Sequence, residues 1–207
     1  PSAKIKPMSV VNESRDTTHY SIIDSEGNAV SNTYTLGYSF GSGVTIPGTG
    51  ILLNNQMNNF AYRYGDTSVS GRAASPANKF EAGKRPMSTM TPTMVFNRSG
   101  ELTLVTGSPG GSFIPAAVLR VISGVIDFDL NIGEATMLPR IHKDWPYSGL
   151  DHESILSSDI SRQLGIMGHQ PESQKTMGST QSIHIKDGFN YGYADLRRPG
   201  AAVSIQR

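Results

Sequence analysis

The 207-residue chain predicts an α+β or layered α/β fold. β-branched and aromatic hairpins come first along the chain, and apolar residues at helical spacing follow. The 22 glycines and 12 prolines, about one residue in six, imply many turns and few long helices. A repeated βαβ pattern is not visible.

Each element has a local cause. Thr17 to Asp24 and Ala29 to Leu36 are β-rich and flank Ser25-Glu26-Gly27-Asn28, a glycine-containing turn. Thr93 to Phe96 and Leu102 to Thr106 form a second hairpin around Asn97-Arg98-Ser99-Gly100. Gln181 to Lys186 and Asn190 to Ala194 join through Asp187-Gly188. Ile114, Val118, Val121, Ile122 and Val125 recur at helical spacing, with Pro115 suited to a first turn. Asn131 and Glu134 make a capping box for a short helix through Met137. Ser157 or Ser158 caps a third helix that ends near Met167, with Gly168 as its stop. Pro1 to Asp16 is polar and reads as a tail or linker, and residues 62–85 read as a long surface loop.

Composition narrows the function. Eighteen basic against 17 acidic residues leave a net charge of +1, which gives no electrostatic case for nucleic acid or an anionic membrane. Hydrophobic residues are 37% and charged residues 17%, the latter below the globular mean of about 25%. The chain therefore reads as folded but not obviously complete. Cysteine is absent, which excludes disulfides, thiol nucleophiles and thiolate metal sites. No apolar run approaches the ~18 residues of a membrane span, and the first 16 residues show no signal-peptide core. The five histidines, His19, His142, His152, His169 and His184, lack zinc-site spacing, and no cofactor is implied.

Hydroxyl groups remain as nucleophiles. They cluster at Thr17-Thr18-His19-Tyr20-Ser21, at Ser88-Thr89-Met90-Thr91-Pro92-Thr93 and at Thr106-Gly107-Ser108-Pro109-Gly110-Gly111-Ser112. A Gly-Gly pair between a strand and a helix either presents adjacent N–H groups to an anion or is simply a tight turn. Together with Gly50-Ile51-Leu52-Leu53-Asn54-Asn55-Gln56-Met57, Met177-Gly178-Ser179-Thr180-Gln181-Ser182 and Asp195-Leu196-Arg197-Arg198-Pro199-Gly200, these clusters carry a resemblance. In this order, over about 190 residues, they resemble the small C-terminal subunit of the γ-glutamyltranspeptidase family of N-terminal-nucleophile hydrolases.

The resemblance implies half of an αββα four-layer sandwich, completed by a large N-terminal subunit as heterodimer partner. It implies self-cleavage at Asp16–Thr17, with residues 1–16 ending the large subunit and residues 17–207 forming the small catalytic subunit. Thr17 would be the nucleophile, its own α-amine the base, and Thr35 the group that orients its hydroxyl. Gly110 and Gly111 would form the oxyanion hole. Ser88 and Thr89 would hold the substrate α-carboxylate, and Gln56 and Asn59 occupy amine-recognition positions.

Two positions depart from the family pattern. Gly37 stands where an asparagine is expected, and Asn59 where an aspartate is expected. Loss of the aspartate removes a counter-charge for a substrate ammonium. The expected substrate is therefore a γ-glutamyl or glutaryl-type amide, as in cephalosporin-acylase-like members. The alternatives are an authentic glutathione γ-glutamyltransferase and an inactive, uncleaved homologue with a structural or binding role. His19 is expected to pack rather than react, Trp145-Pro146-Tyr147 to make a core or subunit contact, and Arg197-Arg198 to serve a structural ion pair.

Overall fold

The computed structural model describes residues 17–61, 76–144, 149–174 and 176–205. The predicted linker 1–16, loop residues 62–75 and Trp145-Pro146-Tyr147 lie outside the described residues.

The first hairpin pairs β1 (Thr18–Ile23) with β2 (Ala29–Tyr34), in register Thr18↔Tyr34 through Ile23↔Ala29. A four-stranded antiparallel sheet follows, in the order β3 (Thr93–Phe96), β4 (Leu102–Thr106), β8 (Gln181–Lys186), β9 (Phe189–Ala194). All six strands lie where the alternation and turn residues place them. Helix α1 (Ile114–Ile126) has Pro115 in its first turn, where the missing N–H costs no intrahelical bond. Helix α2 (Ile132–Met137) has the predicted capping box: Asn131 accepts from the Glu134 N–H, and Glu134 accepts from the Asn131 N–H. Helix α3 (Ser158–Ile166) is capped by Ser157.

A further sheet was not legible. It orders β5 (Ile141–His142), β6 (Gly149–Glu153) and β7 (Gln170–Gln174), and β6 and β7 run parallel with α3 as their crossover. One βαβ unit thus exists in a chain read as having no repeated one. Its strands are short and polar, and β7 contains Pro171, so no period-2 apolar signal marks them.

The layers stack as helix, sheet, sheet. Helices α1 and α2 cover one face of the four-stranded sheet, where Leu104, Val121 and Ile132 pack with Val95, Ile122, Val125 and Tyr193. The β1–β2 hairpin lies on the opposite face, against β4 and β8. That seam is polar. Ser31 Oγ donates to the Thr106 carbonyl at 2.9 Å, and Ser21 Oγ donates to the Gln181 carbonyl at 2.8 Å.

Behind the sheet edge lies a buried ion quartet. Arg140, only 1% exposed, donates from Nη2 to Asp195 Oδ2 at 2.6 Å. Arg197 grips both oxygens of Glu153 at 2.6 Å and reaches Asp195 at 3.2 Å. It also donates to the carbonyls of Thr136 and Leu138, so a cation closes the C-terminal end of α2. The expected structural role of Arg197 is therefore met. Burial alone would raise the Asp195 and Glu153 carboxyls. The facing guanidiniums and backbone N–H groups outweigh it and hold both below the usual carboxylate range.

Breaking one partner leaves uncompensated buried charge. Arg140→Ala is expected to cost about 3–5 kcal/mol in urea unfolding of the full-length protein. A loss under about 1 kcal/mol would show that the quartet does not hold the fold.

Candidate functional site

The register of the first hairpin fixes the site. Thr18 pairs with Tyr34 at its open end, so Thr17 and Thr35 flank the last pair side by side. Both line a cleft of about 90 Å³ that also takes in Gly37, Gln56, Asn59, Ser88, Thr89 and Gly111. Residues from four other stretches of chain thus converge on Thr17. The cleft has the expected residues at its wall except Gly110, which precedes Gly111 in the chain and does not line it.

The bonds inside it differ in detail from expectation. Thr35 Oγ1 accepts the Gly37 N–H at 2.9 Å, and no bond joins it to Thr17 among the described residues. Its hydroxyl proton remains available to a neighbour. Thr89 Oγ1 donates to the Gly111 carbonyl at 2.8 Å, so its proton is engaged with the loop. Ser88 Oγ accepts the Met90 N–H at 3.2 Å, which leaves its proton for a ligand. At the other end, Asn59 Nδ2 donates to Gln56 Oε1 at 2.7 Å, and Gln56 Nε2 reaches the Thr35 carbonyl at 3.5 Å. The expected amine end is therefore a chain of neutral carboxamides.

Gly110 and Gly111 sit on a strained corner between β4 and α1. Gly110 has φ +132°, and a Cβ there would lie 2.8 Å from the Gly178 Cα, so only glycine fits. Neither N–H has an acceptor among the described residues. Two open donors at the entry to a helix make an anion-binding corner. The loop is braced from behind: Ser108 Oγ accepts the Ser179 N–H at 2.8 Å and donates to the Pro109 carbonyl at 2.6 Å.

His19 packs as expected. Its ring is buried against Gly107, with Nδ1 2.8 Å from Thr33 Oγ1 and Nε2 3.2 Å from Ser21 Oγ. Burial lowers its pKa to about 4, so the imidazole is neutral near pH 7. Sequence reasoning assigned no role to Asn55 or Tyr38, which also line the cleft. Asn55 was visible only as part of the Asn54-Asn55-Gln56 motif. Among the described residues no cluster of His, Asp or Glu is arranged to hold a metal, and no helix is long and apolar enough to cross a membrane.

A hydroxyl at a strand start, an anion corner opposite it and stacked sheets covered by helices define an N-terminal-nucleophile hydrolase fold. Comparison with known proteins narrows the class. The family profile described as Gamma-glutamyltranspeptidase matches residues 1–205, and the chain belongs to that family. It is 44% identical over 199 residues to the glutathione hydrolase proenzyme of Escherichia coli, covering 95% of this chain and 34% of that protein. A Helicobacter pylori gamma-glutamyltranspeptidase mutant superposes with a TM-score of 0.81 at 42% identity, over 87% of this chain and all of that one. A cephalosporin acylase from Bacillus halodurans superposes at 0.72 with 27% identity, over 86% of this chain and 32% of that one. The chain spans 34–37% of the length of the first two curated relatives it matches.

The neutral His19 has a pH consequence. Below 6.5 the unfolded chain binds a proton that the folded chain refuses until about pH 4, so protonation favours unfolding across that window. Stability is expected to fall as pH drops from 6.5 toward 4, and His19→Gln to flatten that slope in urea titrations. Identical slopes in the two proteins would show that His19 is not held neutral.

Proposed function

We propose that this chain is the catalytic part of a self-cleaving amidohydrolase or acyltransferase with Thr17 as nucleophile. The observation that carries the reading is the convergence of Thr17 with open N–H donors at Gly111, free hydroxyl capacity at Ser88 and a carboxamide chain in one cleft.

Residues 1–16 end the large subunit and residues 17–207 form the small one. The Thr17 hydroxyl attacks the Asp16 carbonyl, and the acyl group passes from nitrogen to oxygen. Water then releases the ester, leaving Asp16 with a new carboxylate and Thr17 with a free α-amine. That amine, with an ordinary pKa of about 8, takes the hydroxyl proton in each later turnover. Thr17 Oγ attacks the donor amide, and the N–H groups of Gly110 and Gly111 hold the developing oxyanion. The leaving amine takes the proton back, and water or a second amine releases the acyl group from Thr17. Thr35 orients the nucleophile with its remaining proton, Ser88 donates to the donor's carboxylate, and Thr89 joins it once its proton turns from the Gly111 carbonyl to the ligand.

Two observations shape substrate and partner. A cleft end of neutral amides offers no counter-charge to an ammonium, which favours a glutaryl-type donor over a strictly γ-glutamyl one. The hairpin is inverted in polarity: His19, Ser21, Ser31 and Thr33 face inward, while Tyr20, Ile22 and Val30 are 44–51% exposed. An apolar outer face on a two-stranded sheet needs a cover, and the large subunit of the same precursor supplies it.

Thr17→Ala is expected to leave the Asp16–Thr17 bond uncut by intact mass and to lower turnover at least about 10³-fold. A cut or active variant would defeat the mechanism. Wild-type protein is expected to turn over glutaryl and γ-glutamyl anilides side by side. Asn59→Asp should shift preference toward γ-glutamyl about tenfold in kcat/KM. Turnover of the γ-glutamyl anilide alone would assign the authentic transferase instead.

A further inference from the structure

We propose that Asn55 is a specificity residue of this cleft, and that it holds that position because residue 37 has no side chain. The inference rests on the acyl-transfer reading above. Gly37 has φ +96°, and a Cβ placed there would overlap Asn55 Oδ1 and lie 2.9 Å from Asn55 Cγ. The Asn55 carboxamide therefore fills the volume of an absent side chain. Its own N–H is tied to the Leu36 carbonyl at 2.9 Å. Its Oδ1 accepts the Tyr38 N–H at 3.3 Å.

That second bond orients the amide. A backbone N–H can only donate, so the atom facing Tyr38 is oxygen, and the NH₂ is left over. Among the described residues no hydrogen bond engages Asn55 Nδ2. Asn55 is half-buried and lines the cleft that holds Thr17 and Gln56. Neighbouring groups are already paired, since Gln56 Oε1 accepts from Asn59 and Gln56 Nε2 turns to Thr35. The groups open to a ligand at this end include the NH₂ of Asn55 and the Oδ1 of Asn59, and the wall there, with Asn58 beside them, carries amides and no charged side chain among the described residues. A donor pair beside one neutral acceptor recognises carboxylate, carbonyl or hydroxyl oxygens and gives an ammonium no partner charge. Asn55 thus biases the cleft toward dicarboxylic monoamides whose far end carries acceptor oxygens, over donors with a free amine there.

The test is Asn55→Asp in the full-length protein, assayed with γ-glutamyl and glutaryl p-nitroanilides. Aspartate keeps an acceptor for the Tyr38 N–H and exchanges only the NH₂ for a charged oxygen. The ratio of kcat/KM for γ-glutamyl over glutaryl is expected to rise about tenfold, through KM, as for one gained and one lost charge-assisted contact. Gly37→Ala displaces the side chain at 55, so the double variant Gly37→Ala/Asn55→Asp should lose that gain. Where the aspartate variant fails to self-cleave, Asn55→Ala serves instead and should raise the glutaryl KM about tenfold at nearly unchanged kcat. An unmoved ratio, an equal fall in kcat for both donors, or a gain that survives Gly37→Ala would overturn the inference alone. Absence of turnover of either donor by the wild-type protein would overturn the acyl-transfer reading, and this inference with it.

Discussion

The buried quartet of Arg140, Asp195, Glu153 and Arg197 is the constraint from which the rest of the structure hangs. Four charges withdrawn from water are tolerable only when every one is met, and here each meets an opposite charge and several backbone groups. Glu153 accepts the Met177 N–H and Arg140 donates to the Met177 carbonyl, so the segment 177–180 is pinned on both sides of the Met177 Cα. Asp195 pins the same segment again through the Thr180 N–H. From there the constraint passes through Ser179 to Ser108 and through Gly178 to Gly110. The open N–H groups of the candidate oxyanion corner thus inherit their placement from ions that lie far along the chain, from Arg140 to Arg197.

A second constraint is the inverted hairpin. Most two-layer sheets bury apolar side chains between the layers, whereas this seam is built from hydroxyls, an imidazole and backbone carbonyls. Hydrogen bonds are directional, and a slip of one residue would turn every inward hydroxyl outward. Polar contacts therefore hold register where an apolar seam would tolerate sliding. Register is what sets Thr17 beside Thr35, so the position of the proposed nucleophile is a consequence of how the seam is bonded.

Local elements were legible because their causes are local. The Asn131/Glu134 box, Pro115 and the Asn97-to-Gly100 turn each act within four residues, and each appears where the sequence puts it. Two kinds of feature were not legible. The β5–β6–β7 sheet has no apolar period, since its strands earn their place by pairing and by the α3 crossover. The quartet joins residues 44 and 55 apart, a distance over which no spacing rule operates. The cleft residues Thr17, Thr35, Gln56, Asn59, Ser88, Thr89, Gly110 and Gly111 came from family resemblance and motif order. Elementary chemistry alone left the Gly-Gly pair as either an anion corner or a turn. Asn55 could not be found that way, because its exposure to the cleft depends on the empty space at Gly37.

The cleft wall among the described residues carries hydroxyls, amides and apolar groups but no carboxylate, imidazole or amine side chain. On the proposed reading this separates two tasks that other hydrolases combine. Recognition by carboxamides does not titrate, so affinity for the donor has no protein-side pH dependence between the carboxylate and lysine ranges. The proton inventory of the reaction then falls on one group, the α-amine that Thr17 gains by cleaving its own chain. The neutral His19 nearby takes no part, since its ring is spent on Thr33 and Ser21. Self-cleavage in such a site does more than expose a nucleophile. On that reading it creates a base at a wall whose described residues hold none, so the uncut chain is inactive for want of a proton acceptor rather than for want of a fold.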